Sequence, residues 1–487
     1  MKIKDILNTK GELGQIKVKG ISDDSRFLNK GDLFFIIERK NFDIFSVVQR
    51  IEPKVAAFVA REVDKSKLKK LIKNKPVIFV KSIKKEFIRA ANSFYRFKKD
   101  ELKIIGITGT NGKTTTAFLI HHLLKKARQR PSLIGTVKYL IGSKEVKADY
   151  TTPDFLTLRK TLRRIKDAKS DFVVMEVSSH ALSQGRIKGI EFCRCVFTNL
   201  TRDHLDYHRT VENYFNTKKK LFLKSKNALS LINIDDPYGK KILNQLNRGI
   251  SYGVKRKADF YAHNIKLNGS GSCFDLLYCN KSYPVETCLC GRHNILNILA
   301  ALACVSSLGF PLERLVKSLS SFKSVEGRLE PVYEDLFIDY AHTPDALENT
   351  LATLKSLGYE RIICIFGCGG DRDKGKRKAM GRIACKQADF TFITSDNPRS
   401  EKADNICRQI KVGFKSKNYS IVIDREAAIA QAIKLFLVSK AIKTKVKKKT
   451  CVLVAGKGHE DYQIIGNKKF PFKDSNAIKK AVQEIKH

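Results

Sequence analysis

The heptapeptide at 109–115 restricts the fold of this chain more than any other segment. It follows a short β-branched run and precedes a segment whose apolar residues recur with helical period. A glycine-rich turn between a strand and a helix can wrap phosphate oxygens with backbone N–H groups, and the helix dipole favours their charge. The strict spacing of such loops puts glycine at position 107, where isoleucine stands. We therefore predict a variant ATP-binding phosphate loop, formed by Gly109, Thr110, Asn111, Gly112, Lys113, Thr114 and Thr115.

Within this loop, two side chains have an expected role. Lys113 supplies a cation for the β- and γ-phosphates, and the Thr114 hydroxyl is a candidate Mg²⁺ ligand. A plain glycine-rich turn is the alternative, but the Gly-Lys-Thr sequence in this context favours phosphate binding.

Strand-like and helix-like segments alternate along the rest of the chain, as is typical of a parallel sheet with helices on both faces. We predict an α/β fold of three domains: a small N-terminal α/β domain (1–100), a central P-loop-type, mostly parallel sheet (101–326) and a Rossmann-like C-terminal α/β domain (327–487). A hinge is expected at 325–328. Buried strands are predicted at 33–37, 55–59, 77–80, 172–177, 195–198, 229–234, 337–340, 362–366, 390–394 and 451–455.

The chain is strongly basic. Its 93 Lys and Arg residues against 49 Asp and Glu give a net charge of +44, with lysine runs at 65–75, 218–220 and 443–449. Such a charge would suit nucleic acid. The sequence has no zinc-finger spacing, basic zipper or aromatic-rich RNA-binding strand, so we predict a solvated lysine-rich surface and no specific nucleic-acid partner. A hydrophobic fraction of 43% excludes disordered and collagen-like classes.

Other features indicate a cytoplasmic protein without membrane attachment. The twelve cysteines show no framework spacing, which predicts reduced thiols. Residues 1–7 lack the apolar core and cleavage site of a signal peptide, and Asp5 is atypical of a transit peptide. The most apolar stretch, 295–305, is too short to span a membrane and contains Asn297, so we predict a buried helix there.

Eight further motifs follow the phosphate loop in order. Together they resemble the Mur ligase family, the ATP-dependent amide-bond-forming enzymes of peptidoglycan assembly, and the resemblance extends over nearly the whole chain. It implies that the three domains bind UDP, ATP and the incoming amino acid respectively. The motifs are Thr151-Thr152-Pro153, the segment 175–182 with Gln184 and Arg186, 198–208, Tyr214 with Lys218, 339–346, 367–375, Asp396-Asn397-Pro398-Arg399, and 456–460.

The expected chemistry is activation of a carboxylate by ATP and attack of an amine on the acyl phosphate, and both steps require Mg²⁺ and fixed cations. Glu176 stands at the carboxyl end of one predicted strand and His204 follows another, at the edge where an open α/β sheet binds ligands. Without the resemblance, a surface carboxylate and a capping or core histidine would be the simpler interpretations. The resemblance implies catalytic roles for Lys113, Glu176, His204 and Lys218, and metal ligation by Thr114, Glu176, His204 and Lys218, the lysine carbamylated by carbon dioxide.

The resemblance also implies where the UDP-muramoyl dipeptide binds. For Thr151 and Thr152, a structural role in a turn or a helix cap is the alternative. The chain departs from the family at 38–44, where Asp43 is kept but the usual glycines are absent, so the uridine site must differ in geometry. The implied contacts come from Ser25 at the uridine end and from Thr151, Thr152, Ser178, Gln184 and Arg186.

The tetrapeptide at 396–399 accompanies meso-diaminopimelate in the family. Arg399 can pair with its distal carboxylate, which lysine lacks, and Glu460 can answer its distal ammonium. A lysine-adding ligase is the nearest alternative. A folylpolyglutamate synthetase and a non-catalytic, nucleic-acid-associated relative fit less well. We expect a monomer acting on small molecules, with a diaminopimelate site formed by Arg372, Asp396, Asn397, Pro398, Arg399, Gly456 and Glu460.

Overall fold

The structure is a computed structural model that describes residues 1–38, 42–96, 101–268, 271–441 and 448–486. Its strands form a four-stranded, an eleven-stranded and a six-stranded sheet in chain order, and a small two-stranded hairpin. Every predicted strand is present, with ends shifted by three residues or fewer. The α/β class is confirmed.

The N-terminal sheet is parallel throughout and has the order β1-β2-β3-β4. Alternate side chains of one strand enter different cores: Leu33 and Phe35 pack on one face, and Phe34 packs on the other. The strands are Gly20–Ser22 (β1), Asp32–Phe35 (β2), Val55–Arg61 (β3) and Val77–Val80 (β4), and the helices are Ile3–Ile6 (α1), Glu12–Gln15 (α2), Phe45–Ile51 (α3), Lys65–Leu71 (α4) and Ile83–Phe94 (α5).

The central sheet carries helices on both faces. Its strands are Lys103–Thr108 (β5), Pro131–Ile134 (β6), Lys138–Ile141 (β7), Lys144–Lys147 (β8), Phe172–Glu176 (β9), Arg194–Phe197 (β10), Leu229–Asn233 (β11), Gly249–Gly253 (β12), Phe260–Asn268 (β13), Gly271–Tyr278 (β14) and Lys281–Thr287 (β15). Its helices are Lys113–Lys126 (α6), Phe155–Asp167 (α7), Ser179–Gln184 (α8), Leu205–His208 (α9), Val211–Lys224 (α10), Pro237–Leu243 (α11), Arg292–Ser306 (α12) and Leu312–Ser318 (α13).

Seven neighbouring strands of this sheet, from β13 to β6, are parallel in the order β13-β12-β11-β10-β5-β9-β6. Antiparallel strands complete both edges: β14 and β15 beyond β13, and β7 and β8 beyond β6. The sheet is therefore mostly parallel, as predicted, with mixed edges that the sequence did not indicate.

The two faces of β5 enter separate cores. Ile105 and Ile107 pack with residues of α6 and α12, whereas Ile104 packs with residues of α7 and α10. The apolar stretch 295–305 forms most of the buried helix α12, as predicted, and Asn297 accepts a hydrogen bond from the Thr116 hydroxyl at 3.3 Å. Within the described ranges, no helix has the length and apolarity needed to cross a bilayer.

The C-terminal sheet has the order β16-β17-β21-β18-β19-β20 and is parallel except for β16. Helices again cover both faces. The strands are Glu330–Tyr333 (β16), Leu336–Asp339 (β17), Arg361–Phe366 (β18), Phe390–Ile393 (β19), Tyr419–Ile421 (β20), Thr450–Ala455 (β21) and the hairpin Tyr462–Ile465 (β22) and Lys468–Pro471 (β23). The helices are Pro344–Ser356 (α14), Gly375–Gln387 (α15), Ala403–Lys411 (α16), Arg425–Ala441 (α17) and Asp474–Lys486 (α18).

Candidate functional site

The glycine loop lies where the sequence predicts it, between the end of β5 and the start of α6. Gly109 and Gly112 have φ angles of +155° and +83°. A side chain at Gly109 would collide with the Thr198 hydroxyl, and one at Gly112 with the Asn297 amide. Both positions therefore require glycine.

The loop is braced by the neighbouring strand end. Asn199, just after β10, accepts hydrogen bonds from the backbone N–H of Asn111 through its side chain and of Thr110 through its carbonyl, each at 2.9 Å. Lys113 folds back on the loop, donating to the carbonyls of Gly109 (3.0 Å) and Thr110 (2.7 Å). Burial lowers the pKa of Lys113.

Glu176 is the last residue of β9 and is fully buried. Its Oε1 accepts a hydrogen bond from the Thr136 N–H at 2.8 Å. Its Oε2 accepts from the hydroxyls of Thr136 at 2.9 Å and Thr114 at 3.0 Å. A buried carboxylate in contact with a threonine hydroxyl, beside a phosphate loop, fits Mg²⁺, which is held by one or two carboxylates together with phosphate oxygens. The structure thus brings the two predicted ligands Thr114 and Glu176 together.

Lys218, on α10, also reaches the phosphate loop. Its Nζ donates to the Gly109 carbonyl at 2.6 Å, and only 1% of the residue is exposed. The pKa of Lys218 is well below its ordinary value because of burial and because Lys113 lies near it. Two lysines therefore share one carbonyl, and the buried amine of Lys218 is driven towards its neutral form.

His204 has a left-handed backbone, with a φ angle of +53°. Its ring packs against those of His180 and Tyr214, with centroids 4.9 and 6.2 Å apart. Burial lowers the pKa of His204 to about 3, despite the neighbouring Asp203 carboxylate, so the imidazole is neutral and able to bind a metal. Among the described residues, no three His, Cys, Asp or Glu side chains converge as a ready metal site. A metal here would depend on hydroxyl and phosphate oxygens as well.

Apart from Ser25, the residues expected to hold the dipeptide form one connected group. The Thr152 hydroxyl donates to the Glu176 carbonyl at 2.8 Å and accepts from the Ser178 N–H at 3.0 Å. Arg186 donates to the Thr152 carbonyl at 2.8 Å and to the Gln184 side chain at 2.9 Å. Thr151 joins through its hydroxyl, 3.1 Å from that of Thr136.

Ser25 lies apart from this group, in the short 3-10 turn Ser25–Phe27 of the N-terminal domain. In the described part of the chain, no hydrogen bond or ion pair links it to the dipeptide group. Of the departing loop at 38–44, residues 39–41 lie outside the described residues. The Asp43 carboxylate accepts from the Phe45 N–H at 2.9 Å, which caps the start of α3.

The residues predicted for the incoming amino acid meet at the carboxyl ends of β19 and β21. The Asn397 amide donates to Glu460 Oε2 at 3.0 Å. Arg399, with a φ angle of +52°, donates through Nη1 to the Gly370 carbonyl at 2.8 Å. A Cβ built on Gly369 lies 2.9 Å from Arg399 Nη1 and 3.5 Å from Arg372 Cγ, so the two arginines flank that glycine.

Backbone positions complete this pocket. The Pro398 carbonyl accepts from the Glu401 N–H at 3.1 Å and fixes the turn. Gly456, with a φ angle of +114°, brings its backbone beside the Asp396 carboxylate, 3.1 Å from an added Cβ.

Lys457 is a pocket residue that sequence reasoning missed. It is fully buried and its Nζ lies 3.5 Å from Asp396 and 3.6 Å from Glu460, and donates to the Asn397 side chain at 3.2 Å. Burial alone would raise the pKa of Asp396, but Lys457 and other cations outweigh it and the pKa is lowered. The pKa of Glu460 is raised by burial and by the charge of Asp396. For Lys457, the available signal in the sequence was its position inside the 456–460 motif.

The phosphate loop and the segment after β10 contact the C-terminal α/β region directly, at α14 and at the loop before α15. The Asn111 amide donates to the Asp345 carboxylate at 2.6 Å, and Arg202 pairs with Asp373 at 3.0 Å. Nearby, the buried Asp203 lies 3.7 Å from Lys376. The segments that follow β17 and β18 of the C-terminal sheet therefore lie against the phosphate loop and the segment after β10.

Known proteins are similar to this chain in both sequence and architecture. Profiles of the Mur ligase middle domain and of the Mur ligase glutamate ligase domain match residues 107–305 and 327–458. The UDP-N-acetylmuramoyl-L-alanyl-D-glutamate--2,6-diaminopimelate ligase of Clostridium botulinum is 38% identical over 476 residues, 96% of each chain. The chain belongs to the Mur ligase family. The Aquifex aeolicus ligase of the same name is 39% identical over 470 residues, 95% of this chain and 93% of that one.

Solved structures agree with this membership of the Mur ligase family. A UDP-N-acetylmuramoyl-L-alanyl-D-glutamate--2,6-diaminopimelate ligase superposes with a TM-score of 0.68 and 28% identity, covering 100% of this chain and 99% of the other. A folylpolyglutamate synthase of Mycobacterium tuberculosis shares the fold at a TM-score of 0.64 and 18% identity, covering 76% of this chain and 91% of that one.

Proposed function

We propose that this Mur ligase uses ATP to join meso-diaminopimelate to the D-glutamate carboxylate of UDP-N-acetylmuramoyl-L-alanyl-D-glutamate in peptidoglycan biosynthesis. Relatives of that name, 38–39% identical over nearly their whole length, support the assignment. The observation that carries it is a chain of contacts from the phosphate loop to the amino-acid pocket: Arg328 donates to the Thr114 hydroxyl at 3.0 Å and packs on the Tyr340 ring, whose hydroxyl donates to Glu460 at 3.3 Å. The enzyme acts in the cytoplasm as a monomer.

The first chemical step activates the carboxylate. A carboxylate oxygen of the dipeptide attacks the γ-phosphorus of ATP, the bond to the bridging oxygen breaks, and ADP leaves with an acyl phosphate remaining. The loop N–H groups and Lys113 hold the phosphates in line. Thr114 and Glu176 are the groups that would hold Mg²⁺, which neutralises charge on the transferring phosphoryl group.

The second step forms the amide. The unprotonated amine of the amino acid attacks the acyl carbon, a tetrahedral intermediate collapses, and phosphate leaves with the electron pair of the broken C–O bond. The amine's proton passes to solvent or phosphate. Arg328 and Tyr340 link the phosphate loop, which holds the acyl phosphate, to the pocket that holds the amino acid, and this contact supports the geometry.

Lys218 is proposed to carry a carbamate. Its neutral amine adds to the carbon of CO₂, giving a carbamate and releasing one proton. Burial and the lowered pKa of Lys218 favour the neutral amine that this addition requires. The product places an anion beside Lys113 where a neutral amine stood, and with neutral His204 it would offer oxygen and nitrogen ligands to a second Mg²⁺.

Selection of diaminopimelate over lysine is proposed to rest on Arg399. The Gly370 carbonyl orients its guanidinium, and Arg372 lies beside it. A distal carboxylate can pair with this guanidinium, whereas lysine would leave the cation without an anionic partner. Lys457 holds Glu460 and Asp396 in place, and Glu460 receives the distal ammonium.

The three sheets are proposed to divide this work as domains 1–100, 101–326 and 327–487, with the N-terminal domain and Ser25 at the uridine end. The test is ADP release and product mass with ATP, Mg²⁺, UDP-muramoyl dipeptide and meso-diaminopimelate. ADP release that requires both other substrates, with formation of the tripeptide product, is expected. ATP turnover that ignores the dipeptide would overturn the assignment.

A further inference from the structure

Thr136 holds both oxygens of the Glu176 carboxylate. It lies in the turn between β6 and β7, and its backbone N–H donates to Oε1 at 2.8 Å while its hydroxyl donates to Oε2 at 2.9 Å. Two donors from one residue fix the rotation of the carboxylate plane as well as its position. Because Glu176 is fully buried, water does not compete for these bonds.

The turn is shaped to approach Glu176 closely. Gly135 precedes Thr136. A Cβ built on Gly135 lies 2.5 Å from Glu176 Oε1, closer than real Cβ atoms come to another atom, so glycine is needed at this position. The only other hydrogen-bond donor to the carboxylate in the described structure is the Thr114 hydroxyl, at 3.0 Å. Thr136 therefore accounts for two of the three hydrogen bonds that orient this group.

Thr136 also reaches the dipeptide group. Its hydroxyl is 3.1 Å from that of Thr151, and since a hydroxyl has one proton, Thr136 donates to Glu176 and accepts from Thr151. One side chain thus touches both the Glu176 carboxylate and the dipeptide group.

We propose that Thr136 is a positioning residue that orients Glu176 for binding the divalent metal. The metal role of Glu176 rests on the proposed function; the orientation rests on the distances above. Residues that orient a metal ligand typically change metal affinity about 10- to 100-fold when removed. Loss of the hydroxyl removes one of the two hydrogen bonds that Oε2 accepts in the described structure, and it leaves the Thr151 hydroxyl without this acceptor.

The direct test is Mn²⁺ binding in the presence of ADP, followed by electron paramagnetic resonance, with neither dipeptide nor amino acid added. The variant Thr136→Val keeps the shape and the backbone N–H but loses the hydroxyl. It is expected to weaken Mn²⁺ binding about tenfold, whereas Thr136→Ser restores it to within about threefold. Thr161→Val is the matched control, because that buried hydroxyl only donates to the Thr157 carbonyl of its own helix, at 2.8 Å.

Two outcomes contradict the account in distinguishable ways. Unchanged Mn²⁺ affinity in Thr136→Val, with tight binding to the wild type, overturns the positioning role alone. Absence of Mn²⁺ binding to the wild type with ADP overturns the proposed metal role of Glu176. If Thr136→Val does not fold, as judged by thermal unfolding against Thr161→Val, Thr136→Ala provides the same comparison with less steric change.

Discussion

The guanidinium of Arg328 donates a hydrogen bond to the hydroxyl of Thr114, with Nη2 3.0 Å from Oγ1. Arg328 lies in the linker that leads into the C-terminal sheet, and Thr114 lies in the first turn of the helix after the phosphate loop. Arg328 also lowers the pKa of Lys113, after the larger effect of burial. The linker thus places a second cation beside the nucleotide site.

Replacing Arg328 with methionine should therefore weaken ATP binding. A hydrogen bond to a charged group contributes about 1.5–3 kcal/mol, so the KM for ATP should rise about tenfold or more, while the KM for the amino acid stays within about twofold. Arg328→Lys should recover part of the loss. Steady-state kinetics measure both constants, with exposed Arg130→Met, which removes an ion pair to Asp171, as the matched control. An ATP KM equal to that of the control would remove Arg328 from the nucleotide site.

Lys218→Ala should abolish ligation, and added bicarbonate should not rescue it. Lys220→Ala, two residues along the helix and exposed, should retain activity. In the wild type, ¹³C-bicarbonate should give a carbamate resonance by NMR that is absent from Lys218→Ala. Near-normal ligation by Lys218→Ala would exclude its proposed role.

The same carbamate predicts a pH dependence. The pKa of Lys218 is lowered, so its amine stays neutral to a lower pH than an ordinary lysine, and below the folded pKa it becomes an ammonium that cannot add to CO₂. Carbamate formation releases a proton, so ligation should fall on acidification. Added bicarbonate supplies CO₂ and should partly restore ligation. Activity in CO₂-free buffer that equals activity in bicarbonate at every pH would contradict this.

Buried histidines should make the fold sensitive to mild acid. Burial lowers the pKa of His293 from 6.5 to about 4, so the unfolded chain binds the proton more readily than the folded one. Its contribution to stability is complete above pH 6.5 and is lost as pH falls towards about 4. His293→Gln should show a shallower decline of the unfolding free energy over this interval. Denaturant unfolding against pH measures it, and His263→Gln should keep the wild-type slope.

One buried ion pair supports the amino-acid pocket from behind. Arg425 pairs with Asp474 at 2.7 Å, both fully buried, and donates to the Ala455 carbonyl at 3.0 Å, just before Gly456. Removing one partner of such a pair costs about 3–5 kcal/mol. Asp474→Asn should therefore lower the unfolding free energy by roughly that amount in a urea titration. The exposed pair of Lys480 and Glu426 gives the control, since Glu426→Gln should leave the midpoint unchanged.

Local features of the sequence located the phosphate loop and the parallel strands. Gly109 and Gly112 reveal a turn with positive φ angles, and short apolar runs reveal buried strands. The antiparallel edges β7–β8 and β13–β15 escaped prediction because their pairing depends on partners in the sheet rather than on local pattern.

The candidate site shows the same contrast between residues that local sequence predicts and residues whose role depends on the fold. The structure brings together most of the residues that the ordered motifs predict. Lys457 lies inside the 456–460 motif, but its local sequence does not separate it from an exposed lysine, and Thr136 lies outside every motif. Their roles come from burial and from contacts with Asp396 and Glu176, made by segments distant in sequence from those carboxylates.

The most direct test of the account is ligation with meso-diaminopimelate and with lysine, measured as kcat/KM for wild type and Arg399→Leu. Arg408→Leu, an exposed arginine paired with Asp404 on α16, is the matched control. The wild type and the control should prefer diaminopimelate by at least about thirtyfold, and Arg399→Leu should lose most of that preference, since an ion pair with a desolvated carboxylate is worth about 2–5 kcal/mol. Equal turnover of the two amino acids by the wild type would contradict the account.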